Sequence, residues 1–320
     1  MGTSLAVHFR QSEIDRELGV RSLKLAMSGS SSVEQSFVLN AALRRNPKLV
    51  IWELDDRIFF NSPDIDSDVD IQPELYRMNL KGVAEYLFSL DTARESLWIV
   101  LRFFKPLATV AHGLAAAQYL KFHGDQVDEI NTVPLQADLS SAYNSSKARS
   151  AFAITLKYPK KTYARYDCAA LVRNFERDFF ALIKNRPDVE FRVYFPPYSV
   201  LEYVAMREIS PDALQTVYDF SAYVIRRLLQ LPNVTVFDFR DIEGITHDLN
   251  NYLDLIHHSP VVDRKVISYL ATGDHVIDRN APVASIERLR GQVTAYHLDD
   301  TQQRSGHPET AQSGCPAGTQ

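Results

Sequence analysis

Three side chains at opposite ends of the sequence have the chemical types needed for nucleophilic catalysis. Ser4 stands in the Gly-Thr-Ser sequence that opens the chain, and Asp254 precedes His257 by three residues in DLIHH. A hydrolytic histidine needs one ring nitrogen held by an acceptor, so that the other nitrogen can take a proton from a hydroxyl. An aspartate three residues upstream can supply that acceptor. The same spacing also fits an aspartate that caps a following helix beside an unrelated histidine.

The elements around these residues alternate between strands and helices. Short apolar runs predict strands over 22–29, 48–55, 189–199 and 233–241. Amphipathic spacing and helix-start signals predict helices over 31–46, 167–185 and 260–271, and another that opens at Pro211. This alternation is typical of a doubly wound α/β sheet, in which the site follows the carboxyl ends of the strands. Ser4 and the Asp254–His257 pair fit such positions.

The regular pattern is interrupted once and ends before the last twenty residues. We predict a single domain over 1–299, with a helical insertion at about 72–150 and a disordered tail over 300–320, where almost no bulky apolar side chain occurs. The most apolar window, residues 96–120, contains two basic residues, a proline and a histidine. These residues would be costly at the centre of a bilayer, so the window favours two packed helices over a membrane span.

Composition excludes several classes of function. The 320-residue chain is 45% hydrophobic and carries a net charge of −5 without a long basic cluster, so we expect no nucleic-acid partner. No glycine-rich phosphate loop is present, which weighs against an alternative as a sugar- or nucleotide-binding domain. The acidic run 64–70 lacks the glycine and glutamate of a calcium-binding loop. We therefore expect no metal and no organic cofactor.

Four sequence blocks together resemble the SGNH (GDSL-type) hydrolase superfamily. They are GTSLAVHFRQSEID at the start, LKLAMSGSSSVEQ after it, LVIWELDDRIFF, and NYLDLIHHSP near the end. The likeness is greatest to the membrane-anchored envelope members that are associated with surface polysaccharides and teichoic acid. It extends over about residues 2–299, with a variable middle. It implies a flavodoxin-like, mostly parallel sheet.

The resemblance also implies a role for each residue that matches a block. Ser4 becomes the nucleophile, His257 its general base, and Asp254 the residue that orients His257. Gly29 becomes a backbone oxyanion donor beside the amide of Ser4. The implied activity is ester hydrolysis or acyl transfer on acylated cell-envelope glycans or small esters.

Two positions depart from the superfamily pattern. The third block usually carries an asparagine that donates to the oxyanion, whereas Asp55 and Asp56 occupy that region here. A carboxylate there would repel an oxyanion unless it were protonated or turned away. His258 stands where related sequences often have an aromatic residue. These departures leave open the alternative of a catalytically inactive envelope or assembly module with the same fold.

The Gly-Thr-Ser turn is expected to follow the first strand of the sheet, yet only one residue precedes it. In the flavodoxin-like strand order 2-1-3-4-5, that strand is an inner one. We therefore expect the first strand, and possibly a membrane anchor, to lie upstream of Met1. Residues 1–9 contain no signal-peptide pattern, and a periplasmic or envelope location follows from the resemblance alone.

Overall fold

The computed structural model describes residues 1–59, 142–159 and 167–297. Its elements are a 3₁₀ turn (Ser4–Ala6), α1 (Gln11–Leu18), α2 (Ser32–Leu43), β1 (Leu49–Glu53), a 3₁₀ turn (Asp56–Phe59), α3 (Ser145–Lys157), α4 (Cys168–Phe175), a π-helical segment (Glu176–Phe180), α5 (Ala181–Lys184), β2 (Glu190–Phe195), α6 (Val200–Ile209), α7 (Pro211–Leu228), β3 (Val234–Asp238), α8 (Glu243–Thr246), a 3₁₀ turn (Leu249–Asn251), α9 (Pro260–Thr272) and α10 (Ala284–Ala295). The fold is mixed α/β.

The three strands form a parallel sheet in the order β1-β2-β3. Trp52 of β1 is aligned with Val193 of β2, which is aligned with Val236 of β3. All three strands are short and largely apolar, as expected for parallel strands that helices cover. The carboxyl ends of the strands therefore lie side by side at one edge of the sheet.

On the side of β1 away from β2, the first residues of the chain also pair with neighbouring backbone. Gly2 forms a parallel bridge with Ala26, supported by hydrogen bonds from Gly2 N to Leu25 O (3.3 Å) and from Met27 N to Gly2 O (3.0 Å). On its other side, the N–H of Glu53 donates to the carbonyl of Met1 (3.0 Å). Met1 and Gly2 thus lie between residues 25–27 and β1.

Helices pack on both faces of the sheet. On one face, Phe191, Val193 and Phe195 of β2 belong to a large apolar core that includes residues of α2, α4, α6, α7 and α10. On the other face, Tyr194 joins a smaller core with residues of α1 and α9. This alternation along β2 follows from the two-residue period of a strand. It gives the sheet a buried layer on each side.

Some of the strand and helix ranges predicted from the sequence match the structure, and others differ from it. The predicted strands 48–55, 189–199 and 233–241 contain β1, β2 and β3, but residues 22–29 form only the bridge at Ala26. Helix α6 was not predicted. Of the predicted insertion, only residues 142–150 fall within the described ranges; there α3 begins at Ser145 and continues past the predicted boundary to Lys157.

The predicted tail and the apolar window 96–120 lie outside the described residues. Within the part of the chain that the structure describes, no helix combines the length and apolar character needed to cross a membrane.

Candidate active site

Ser4 is presented by a tight turn at the edge of the sheet. Thr3 has an extended backbone and caps the 3₁₀ turn, its hydroxyl accepting a hydrogen bond from the N–H of Leu5 (3.4 Å). A Cβ atom added to Gly2 would lie 2.8 Å from Glu53 Oε2 and 2.8 Å from the Cβ of Ala6. Gly2 therefore permits a close approach that a larger residue would obstruct. The turn leaves Ser4 partly exposed.

The side chains of Ser4, His257 and Asp254 form a continuous chain of polar contacts. Ser4 Oγ lies 2.9 Å from His257 Nε2, and His257 Nδ1 lies 2.7 Å from Asp254 Oδ2. Since a carboxylate accepts from Nδ1–H, Nε2 is left to accept the Ser4 proton. The expected contact between residues that are 253 positions apart in the sequence is therefore present.

Asp254 is held as a carboxylate by the backbone that carries His257. Its Oδ1 accepts hydrogen bonds from the N–H groups of Ile256 and His257, each at 2.8 Å. Burial alone would raise the pKa of Asp254, but the hydrogen bonds from His257 and Ile256 and the attraction of the imidazole hold this pKa well below its usual range. Asp254 orients His257 and does not cap α9, whose N-cap is Ser259.

The loop that carries this pair is fixed to the rest of the domain. Tyr252 and His258 form an antiparallel bridge, and the N–H of Leu253 donates to the carbonyl of His257 (3.0 Å). The hydroxyl of the buried Tyr252 donates to the carbonyl of Pro197, at the end of β2 (2.7 Å). The imidazole of His257 therefore has a defined position relative to the sheet. Its side chain is 33% exposed, so a small molecule can reach it.

Two backbone N–H groups, those of Ser4 and Gly29, were expected to donate to an oxyanion. Gly29 has a φ of 69°, in the left-handed region that favours glycine, and follows the segment that pairs with Gly2. Among the described residues, the N–H groups of Ser4 and Gly29 have no hydrogen-bond acceptor. This is the state required of oxyanion donors, which must be available to the substrate.

The two aspartates after β1 have different surroundings. Asp55 Oδ1 accepts from the hydroxyl of Tyr198 (2.6 Å) and from the N–H of Arg57 (2.9 Å). One oxygen of the Asp55 carboxyl group is therefore bound by two hydrogen-bond donors. The pKa of Asp56 is raised to about 7, chiefly by burial and also by the charge of Asp55, while Arg57 and Arg240 oppose the rise.

His258 has a separate, structural environment. Its Nδ1 lies 3.0 Å from Asp263 Oδ1, and both side chains are 2% exposed. The two atoms are in close, buried contact without the alignment of a hydrogen bond. His258 thus points into the interior toward α9, whereas His257 points toward Ser4.

The contact between Thr3 and Glu53, beneath the turn that carries Ser4, was not predicted from the sequence. Thr3 Oγ1 donates to Glu53 Oε1 at 2.6 Å, and Glu53 is fully buried. A signal was available, because Glu53 is a charged residue inside the apolar run of β1. A buried carboxyl in such a run usually has a specific partner.

No protein-family model, curated protein or solved structure matches the chain. Within the described ranges, no group of three or more histidine, cysteine, aspartate or glutamate side chains is arranged to hold a metal ion. The arrangement of Ser4, His257 and Asp254 is therefore interpreted from its own geometry.

Proposed function

We propose that this protein is an SGNH-type serine esterase or O-acyltransferase that acts on acylated cell-envelope glycans. The observation that carries the proposal is the relay from Ser4 Oγ through His257 to Asp254, with contacts of 2.9 and 2.7 Å. A nucleophile within hydrogen-bond reach of a base, itself oriented by a third group, is the arrangement that activates a serine hydroxyl.

The pairing of the backbone supports a flavodoxin-like sheet. With residues 25–27 in the place of strand 2 and Met1–Gly2 in the place of strand 1, the neighbours follow the order 2-1-3-4-5 through β1, β2 and β3. Ser4 and His257 then both follow carboxyl ends of strands. This is where ligands bind in open α/β sheets.

In the first half of the proposed reaction, Ser4 Oγ attacks the carbonyl carbon of a substrate ester. The hydroxyl proton passes to His257 Nε2, and Asp254 stabilises the resulting imidazolium. The N–H groups of Ser4 and Gly29 donate to the oxyanion of the tetrahedral intermediate. As the C–O bond to the alcohol breaks, His257 returns the proton to the leaving oxygen, and the acyl group remains on Ser4.

In the second half, water or a sugar hydroxyl attacks the acyl-serine. His257 Nε2 takes the proton of the attacking hydroxyl and later gives it to Ser4 Oγ. Attack by water releases a carboxylic acid, and attack by a sugar hydroxyl gives a new ester. The relay is the same in both cases, so the acceptor determines whether the enzyme acts as a hydrolase or a transferase.

The substrate class and the envelope location rest on the resemblance of the four sequence blocks. The partial exposure of His257 and Ser4 fits a substrate that approaches from solvent. A glycan O-acyl group, which projects from its chain, fits this requirement.

One observation favours the alternative, a non-catalytic module with the same fold. Asp55 and Asp56 occupy the region where the superfamily pattern has a donating asparagine. The hydrogen bonds from Tyr198 and Arg57 to Asp55 weaken this objection, because they engage its carboxylate away from a substrate.

The two functions are separated by ester turnover. We expect the purified chain to hydrolyse an aryl acetate and to remove or transfer acyl groups in a panel of O-acetylated sugars. Ser4→Ala and His257→Ala should each lower the rate on the order of 10⁴-fold or more, because the residues of such a relay act as a unit. Asp254→Asn should be less damaging.

Ser150→Ala, at an exposed position on α3, and His297→Ala, at an exposed position after α10, are matched controls with unchanged turnover. A folded protein without turnover on any substrate of the panel would support the non-catalytic module.

A further inference from the structure

The turn that presents Ser4 is attached to β1 by Glu53. One carboxylate oxygen, Oε1, accepts from both the hydroxyl of Thr3 (2.6 Å) and the N–H of Thr3 (3.2 Å). The same Thr3 hydroxyl accepts from the N–H of Leu5. Hydrogen bonds therefore connect the N–H of Leu5 to the Thr3 hydroxyl, and the Thr3 hydroxyl to the carboxyl group of Glu53.

Glu53 has no access to solvent. It is 0% exposed, and its second oxygen, Oε2, lies 3.4 Å from the hydroxyl of the buried Tyr194. The missing Cβ of Gly2 makes room for it, since an added atom would lie within 2.9 Å of both Oε2 and the Cβ of Glu53. The carboxyl is thus packed directly against the backbone of the turn.

Loss of this carboxyl would leave the N–H of Thr3 without an acceptor and its hydroxyl with only a longer contact to Asp55 Oδ2 (3.5 Å). Thr3 is 4% exposed, so its N–H and hydroxyl could not be compensated by bulk water. A buried donor without a partner is costly, and the turn would rearrange to satisfy it. Since Thr3 directly precedes Ser4, any such rearrangement changes the distance between Ser4 Oγ and His257 Nε2.

We propose that Glu53 is a positioning residue for the nucleophile, which fixes the Thr3 backbone and hydroxyl and so holds Ser4 Oγ within hydrogen-bond distance of His257. The effect of Glu53 on catalysis rests on the proposed function, whereas the effect of Glu53 on the Ser4–His257 contact does not. No hydrogen bond joins the described side chains of Glu53 and Ser4, so Glu53 acts through Thr3.

Matched substitutions separate the acceptor role from the volume of the side chain. Glu53→Gln keeps an oxygen that can accept from Thr3, whereas Glu53→Leu keeps much of the volume and removes the acceptor. Thr3→Ser keeps the donating hydroxyl and Thr3→Val removes it.

The first readout is the rate at which a serine-directed fluorophosphonate labels Ser4. Glu53→Leu should lower this rate by about ten- to a hundredfold, the loss expected for a misplacement of about 1 Å. Glu53→Gln should retain most of the rate, and adding Thr3→Val to Glu53→Leu should cause little additional loss, because the Thr3 hydroxyl positions the turn through its hydrogen bond to Glu53.

The second readout does not depend on reactivity. The ¹⁵N resonance of His257 Nε2 reports its hydrogen bond with Ser4, and Ser4→Ala provides the reference without that bond. We expect Glu53→Leu and Thr3→Val to shift the resonance toward the Ser4→Ala value, with Glu53→Gln and Thr3→Ser remaining near the wild type.

The two readouts distinguish failure of the proposed function from failure of this inference. A wild-type protein that is not labelled, but whose Nε2 resonance responds as described, would contradict the function and support the positioning role. An unchanged Nε2 resonance in Glu53→Leu would overturn the positioning role. If Glu53→Leu does not fold, Thr3→Val gives the same test.

Discussion

The buried carboxyl of Glu53 should make the stability of the protein depend on pH. The pKa of Glu53 is raised from 4.5 to about 7, chiefly by burial; the hydrogen bonds from Thr3 oppose the rise, the charge of Asp55 adds to it, and His258 opposes it. The hydroxyl of Tyr194 lies 3.4 Å from Oε2 of Glu53, and the amine of Met1 also interacts with its charge.

The direction of the pH effect follows from the raised pKa. Below about pH 4.5 the carboxyl is protonated in both folded and unfolded chains, so it makes no difference to the free energy of unfolding. Between about pH 4.5 and 7 the unfolded chain releases the proton and the folded chain keeps it, which favours unfolding. Raising the pKa of Glu53 from 4.5 to about 7 corresponds to roughly 3 kcal/mol of stability lost across this window.

Glu53→Gln should remove this loss, because glutamine resembles the protonated acid at every pH. We expect the variant to equal the wild type near pH 4 and to be more stable by up to roughly 3 kcal/mol at pH 8, as measured by urea unfolding at several pH values. Asp56 also has its pKa raised to about 7, so the variant keeps part of the pH dependence.

Glu243→Gln, at an exposed position in α8, controls for the change of side chain. A difference in stability between Glu53→Gln and the wild type that is the same at pH 4 and pH 8 would show that Glu53 does not titrate with a raised pKa in the folded protein.

Three further substitutions test the packing around the site, each by urea unfolding. His258→Ala should cost about 3–5 kcal/mol by leaving the buried Asp263 carboxyl without its partner; a cost near zero would mean that the pair is not formed. Gly2→Ala should cost about 1–3 kcal/mol through the close contacts described above, and wild-type stability would contradict that packing. Arg240→Leu should cost about 3–5 kcal/mol because Asp238, 2.7 Å away and buried, loses its ion pair; a milder effect would show that solvent reaches this carboxylate.

The fold could be predicted where local pattern decides the structure. The strands β1, β2 and β3 are short apolar runs, and α2 carries a capping box, in which Ser31 accepts from the N–H of Glu34. Helix α6 has no such pattern, since its residues from 200 to 206 are all buried. A helix segment that is buried on all sides lacks the alternation of polar and apolar faces that would mark it as a helix in the sequence.

The candidate site was predictable only in part. The spacing of Asp254 and His257 gave a local signal, and Ser4 was reached through the resemblance of the sequence blocks. The contact between Thr3 and Glu53 joins residues 50 positions apart, and nothing in either stretch specifies the other. The contact between His258 and Asp263 likewise depends on how the loop packs against α9.

The proposed activation of Ser4 by His257 can be tested by locating a covalent adduct on the folded protein. After treatment with a serine-directed fluorophosphonate, trypsin should release peptide 1–10, which contains a single serine. Mass spectrometry should find the adduct on Ser4, Ser4→Ala should abolish it, and His257→Ala should slow its formation strongly. No adduct on the folded protein, an adduct on another residue, or labelling of His257→Ala as fast as the wild type would each rule out these roles for Ser4 and His257.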